Sequence, residues 1–401
     1  MKLLEMIYFH RVLLGVCGLI VLMMFAYYNL LTYHVQRIFS QRMYMYGFTH
    51  NLHGNILSPP GTFKFEKVAH EPDNLPDKAP IYLLILISSS PHKGKHTDLR
   101  EAIRRTWGFC GGLSVHKGEY KDAIKSQKNI SCKVFFYMGR SRAVGRDASS
   151  IAELEKYQDL VIGDFLDSYH NMTRKMMFGL NWAFQKFNPQ FVMKADDDVY
   201  INVPQLINLV NTKYAHIENL YGGHVYYASV IRDETHRHYL TRDEYPNDWY
   251  PPYNKGAQLI ISGHLLGKLL TMSTRMKRFQ IDDAYLGILM NHIGVLPVKV
   301  KEFIQNQWLT YFVRWISTCD LKAMVGIGDN FTPSQMNYIH SVVHHKASWY
   351  CVRLDYLAYY LLFLFVFILF ILLFMRQRYC PWLTIPILAH SFNIFVKRIC
   401  K

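Results

Sequence analysis

Through the middle of the chain, apolar runs alternate with amphipathic segments. IYLLILISS (81–89) is a continuous apolar run closed by two serines, which predicts a strand buried on both faces. DLREAIRRTWG (98–108) has helical spacing and closes at Gly108. CKVFFYMG (132–139) and YQDLVIGDF (157–165) read as a second and a third strand. NMTRKMMFGLNWAFQKF (171–187) reads as an amphipathic helix stopped by Asn188-Pro189, and QFVMKA (190–195) as a fourth strand. Strands that alternate with helices imply an α/β fold around a mainly parallel sheet. There is no internal repeat and no low-complexity tract.

Two apolar runs are longer than any of these. VLLGVCGLIVLMMFAYYNLL (12–31) is long enough to cross a bilayer and no small-residue cleavage site follows it, so it reads as a retained signal anchor. YLAYYLLFLFVFILFILLFM (Tyr356–Met375) holds no charged residue and predicts a second span. Arg376, Arg378, Lys397, Arg398 and Lys401 follow with no acid among them, which by the positive-inside rule places the C-terminal tail in the cytoplasm and the middle of the chain in a lumen. The expected division is a cytoplasmic tail (1–11), an anchor (12–31), a Pro-, His- and Asn-rich stem (32–80), a lumenal domain (81–353), a transmembrane helix (354–375) and a basic tail (376–401). Three sequons, at Asn129, Asn171 and Asn330, lie in the lumenal part, as do Cys110, Cys132, Cys319 and Cys351. Those four cysteines allow two disulfides in three pairings, and spacing does not choose among them.

At 401 residues, half of them apolar, the chain can bury its own core. The formal charge of +15 gathers partly in the tails, and without interleaved basic and aromatic residues it does not read as a nucleic-acid surface. The candidate chemistry lies in KADDDVYINV (194–203). Asp196, Asp197 and Asp198 follow the fourth strand, at the edge where open α/β sheets bind ligands. A solvated acidic loop is the plain alternative, but apolar residues resume at once and pin the acids between buried segments, where uncompensated charge is costly. A dication removes the conflict, and oxygen ligation suits Mn²⁺, Mg²⁺ or Ca²⁺.

REAIRRTWG (100–108), DFLDSYHNMTRK (164–175), KADDDVYINV, YPPYNKGA (250–257) and IDDAYLG (281–287) occur in one order over more than half the chain. In these blocks the sequence resembles the Golgi β-1,3-glycosyltransferases of glycosyltransferase family 31, which include β-1,3-galactosyl- and β-1,3-N-acetylglucosaminyltransferases. The resemblance implies a GT-A type nucleotide-sugar domain on a Golgi membrane protein. It also implies roles: Asp198 as Mn²⁺ ligand with Asp196 in support, Asp283 as catalytic base, and Arg100, Arg104, Asp196 and Asp197 on the nucleotide-sugar. Tyr250, Tyr253 and Asp282 would meet the acceptor. The expected reaction is an inverting transfer of a hexose, galactose by preference, from a UDP-sugar to a glycan in β-1,3 linkage, with homo- or hetero-oligomers open.

Plainer readings stand beside these roles. Asp282 and Asp283 suit the first turn of any helix, Arg100 and Arg104 a solvated helix face, and YPPY a rigid aromatic turn. Asn171 doubles as a helix cap. The chain also departs from the family: Asn254-Lys255 replaces a small Cys-Ser pair and brings a positive charge to the expected acceptor groove, and a second span is atypical. A catalytically silent glycan-binding or partner-assisting membrane protein, and a Ca²⁺-stabilised lumenal binding protein, are the competing functions.

Overall fold

The computed structural model describes residues 57–344, apart from 76, 93, 109, 111–130, 143–145, 306–309, 312 and 317, together with 363, 364 and 367. Its first half is built from strands and helices in turn: β1 (Val68–His70), β2 (Ala79–Ser88), α1 (Lys95–Arg105), β3 (Cys132–Arg140), α2 (Arg146–Tyr157), β4 (Leu160–Leu166), α3 (Met172–Lys186) and β5 (Phe187–Asp196). Then come β6 (Tyr200–Ile201), α4 (Val203–Leu209), β7 (Tyr221–Tyr226), β8 (Tyr253–Ser262), α5 (Leu265–Ser273) and α6 (Asp282–His292). The described part closes with β9 (Val298–Lys299), β10 (Phe303–Ile304), α7 (Thr318–Ala323), β11 (Gly326–Ile327) and α8 (Pro333–His344).

The main sheet has the order β1-β4-β3-β2-β5-β8-β7-β9. Its centre, β4, β3, β2 and β5, is parallel, while β8 runs antiparallel to both β5 and β7. A second, three-stranded sheet joins β10, β11 and β6. The period of two along β2 explains the layering. Leu84 and Leu86 face one core with α3, α5 and α6, while Leu83, Ile85 and Ile87 face the other with α1, α4 and α8. Each of these five is at most 1% exposed, and such burial contributes about 1.5–3 kcal/mol per side chain.

Register sets the position of the acids. Ser88 is the Cα partner of both Tyr137 and Asp196, so the carboxyl ends of β2 and β5 stop level with one another while β3 runs on to Arg140. Because β8 is antiparallel to β5, with Gln258 opposite Ala195, its first residues arrive at the same edge.

Several expectations change. Part of the stem belongs to the domain: Leu57 bridges Met276, β1 pairs with β4, Phe65 and Leu75 pack on the core, and Glu71 accepts from Trp182 Nε1 at 2.7 Å. Composition hides this because the few apolar anchors sit among prolines and histidines. The helix ends at Lys186, as expected, but the fourth strand begins at Phe187 and not at Gln190. Phe187 and Pro189 are buried and already belong to β5, at a position where Pro189 pairs with Ile81. Both expected membrane spans lie outside the described residues apart from Phe363, Leu364 and Phe367, and among the described residues no helix is long and apolar enough to cross a membrane. Of the possible pairings the structure contains Cys110–Cys132, and Cys319 is disulfide-bonded as well.

Candidate active site

The three acids leave β5 with different surroundings. Asp196 Oδ1 accepts from Lys194 Nζ at 2.7 Å. Asp197, 4% exposed, accepts from Ser89 Oγ at 2.6 Å and lies 2.8 Å from His96 Nδ1. The Asp198 carboxylate has no hydrogen bond or ion pair among the described residues. Burial first, and then the charges of Asp196, Asp197 and Asp329, push it up to about 7, with Lys95 opposing. Val199, Tyr200 and Ile201 are at most 1% exposed and anchor the chain directly beyond, and Phe331 N–H donates to Asp198 O at 2.9 Å.

The second pair of acids opens α6. Asp283 accepts from Gly256 N–H at 3.2 Å and from Ala284 N–H at 2.8 Å. Burial and the adjacent Asp282 push its carboxyl up to about 7, against those two donors and Lys194. The pair lies in the first turn of α6, as the plainer reading expects, and burial leaves the Asp283 carboxyl less acidic than a surface aspartate. Lys194 connects the two acidic groups. Its ammonium, 3% exposed, is bound by Asp196 and the Gly256 carbonyl and lies 3.7 Å from Asp282. Burial works against the charge, but Asp196 and Asp282 outweigh it and hold the ammonium above its usual range. The sequence carries a signal for Lys194, since a lysine inside a buried strand needs acidic partners.

Two sets of residues expected at the ligands have protein partners in the structure. Arg100 and Arg104 turn their guanidinium groups into the protein. Arg100, 1% exposed, donates to Glu153 through Nε (2.8 Å) and Nη2 (2.6 Å) and to Ser89 Oγ through Nη1 (2.9 Å). Arg104 pairs with Glu153 and Asp159, each at 2.8 Å, and stacks on Tyr157. Together these contacts brace the carboxyl end of β2 from behind. Lys175 adds to the brace, donating to Ser89 O at 2.9 Å and to Asp167 at 3.2 Å. Tyr250 and Tyr253, each 5% exposed, are core residues in an aromatic cluster with Tyr245 and Phe279 and present no open ring to an acceptor. Asn254 is fully buried against Tyr221, leaving Lys255 as the residue of that pair that reaches the surface region. Of the sequons, Asn129 lies outside the described residues, Asn171 donates to Leu166 O at 2.9 Å, and Asn330 is exposed.

Among the described residues no three His, Cys, Asp or Glu side chains are grouped to cage a metal ion. The donor set nevertheless fits a dication with few protein ligands. Asp196 and Asp197 are occupied by Lys194, Ser89 and His96, whereas Asp198 is unpartnered and surrounded by like charge. A hard cation there would relieve it and keep positions open for other oxygens.

Residues 98–301, which contain all five motif blocks, match the family model described as Galactosyltransferase. The chain belongs to the galactosyltransferase family. Within this family it is 27% identical over 301 residues to mouse and human beta-1,3-galactosyltransferase 1, covering 74% of this chain and 85% of each relative. It is 28% identical over 285 residues to human beta-1,3-galactosyltransferase 2, covering 69% of this chain and 62% of that one. Among solved structures, the galactosyltransferase LgtC in complex with donor and acceptor sugar analogs aligns at a TM-score of 0.30 and 9% identity, over 66% of this chain and 98% of that chain. A likeness of that size carries no argument here.

Proposed function

We propose that this galactosyltransferase-family protein transfers galactose from UDP-galactose to a glycan hydroxyl in β-1,3 linkage, with inversion, through a GT-A type site. The observation that carries the reading is the link between Asp198 and Asp283. Two half-buried carboxyls, each raised to about 7, stand at one sheet edge, and Lys194 ties their neighbours Asp196 and Asp282 together.

Asp198 would hold a manganese ion, which when bound supplies Lewis-acid neutralisation of the leaving diphosphate. Asp283 takes the proton of the acceptor hydroxyl as that oxygen attacks the anomeric carbon from the side opposite the nucleotide. A carboxyl that titrates near 7 is suited to this, since it is ionised often enough to accept and basic enough to pull. Gly256 N–H and Ala284 N–H hold its two oxygens in place. One displacement turns an α-linked donor into a β-linked product and needs no covalent intermediate. The same reading puts the protein in the Golgi membrane with this domain lumenal, supported by the hydropathy of 12–31 and 356–375.

The test is UDP release by the full-length protein in detergent, with a panel of UDP-sugars and glycan acceptors, with and without Mn²⁺. Galactose transfer that requires Mn²⁺ is expected, and Asp283→Asn should bind UDP yet fail to transfer. Transfer by Asp283→Asn at the parental rate would remove Asp283 as base, and a parent that binds no UDP-sugar would remove the enzyme reading.

A further inference from the structure

With Tyr250 and Tyr253 in the core, the acceptor must meet other side chains, and two cation-bearing aromatic rings lie beside Asp283. Tyr226 and Tyr253 are Cα partners across β7 and β8. Lys255, two residues further along β8, places its ammonium 4.8 Å from the centroid of the Tyr226 ring, which is 38% exposed. The next residue, Gly256, donates its N–H to Asp283. The other ring is Tyr169, 42% exposed, with the His238 ring stacked at 6.0 Å and 8° and the Arg237 guanidinium 5.8 Å from its centroid. Gln280, three residues before Asp283, fixes this group. Its amide donates to the carbonyls of Arg237 and Tyr239 at 3.0 Å each, and its oxygen lies 2.7 Å from His170 Nδ1. Burial raises the Tyr169 phenol, with Arg237 opposing and Asp282 and Asp283 adding to the rise, which puts the ring within electrostatic reach of both acids. Neither Lys255 nor Arg237 has a carboxylate partner among the described residues.

We propose, resting on the transferase reading above, that Lys255 on Tyr226 and Arg237 on Tyr169 are acceptor subsites beside Asp283, and that the acceptor is an acidic saccharide. Each ring offers an apolar wall to a pyranose, and each cation offers charge-assisted hydrogen bonds to a carboxylate or sulfate on the same glycan. Lysine and arginine that already lie along a ring lose little freedom when the anion arrives.

The test uses full-length protein in detergent and one oligosaccharide core in three forms: neutral, ending in a uronic or sialic acid, and sulfated. Acceptor KM and direct glycan binding are measured at low and high salt. The acidic forms should bind about tenfold tighter than the neutral one, as expected for one charge-assisted contact. High salt, Lys255→Met and Arg237→Met should each erode that preference by weakening the acidic forms more than the neutral one. A carboxylate-only or sulfate-only preference would support the site and name its anion. Equal affinity for neutral and acidic forms, or variants that weaken all three alike, would overturn it. Calorimetric binding of UDP-galactose to the same preparations separates the failures. If donor binding is absent the transferase reading has failed, whereas donor binding without acid preference removes only the acidic acceptor.

Discussion

Lys194 Nζ lies 2.7 Å from Asp196 and 3.7 Å from Asp282, so one buried ammonium joins the strand that ends in the acid triplet to the helix that carries Asp283. Lys194→Met would leave two carboxylates facing each other without a counter-charge. The expected cost is about 2–4 kcal/mol, discounted because Asp196 is partly exposed, and denaturant titration measures it. A loss below about 0.5 kcal/mol would mean that the pair contributes no more than a surface contact.

Catalysis should fall on the acid side of neutrality. Asp283 must be ionised to accept a proton, and its carboxyl stands at about 7, so kcat/KM should drop about tenfold per pH unit below that point. Because Asp282 is one cause of the rise, Asp282→Asn should move this limb to lower pH. A pH profile that stays put in the variant would assign the limb to a different group.

Without metal, the same raised carboxyls make stability depend on pH in the opposite sense to a salt-bridged acid. Asp198 and Asp283 hold protons up to about 7 when folded, whereas an unfolded aspartate releases them near 3.9. Between those values the folded state binds more protons, so stability should decline as pH rises from about 4 to 7. Melting temperatures in chelator should fall across that window, and Asp198→Asn should flatten the slope and raise the value at pH 7.5. The same variant should lose Mn²⁺-dependent UDP binding by about two orders of magnitude in calorimetry.

Glu153 is the internal anchor for both arginines of the first motif, and against the effect of burial they hold its carboxyl below the usual range. Glu153→Gln should destabilise by about 3–5 kcal/mol, because it leaves Arg100 buried and uncompensated. Since Arg100 also donates to Ser89, which donates to Asp197, UDP binding should weaken as well. Chemical denaturation and calorimetry on the one variant check both.

What the sequence could disclose was set by distance along the chain. The strand at 81–89 is legible because burial on both faces leaves an unbroken apolar run, and the helix at 171–187 because burial of one face imposes a period of 3.6. The acid triplet is legible for a similar reason, since its charge is visible against its immediate flanks. Arg100 and Arg104 are different, because their partners Glu153 and Asp159 lie tens of residues away. No local pattern separates a buried, spent guanidinium from one that faces a ligand. Tyr250 and Tyr253 mislead in the same way, as an aromatic turn looks alike whether the fold covers it or leaves it open. Helix α2 is hard to read from sequence because RDASSIAELEKY is mostly polar and has only a short apolar side.

The bond between Cys110 and Cys132 closes a ring of chain across residues 111–131. Cleavage of a peptide bond anywhere within that ring would leave the two fragments covalently joined. Nicked and intact protein would then migrate together on a non-reducing gel and separate only once a thiol is added.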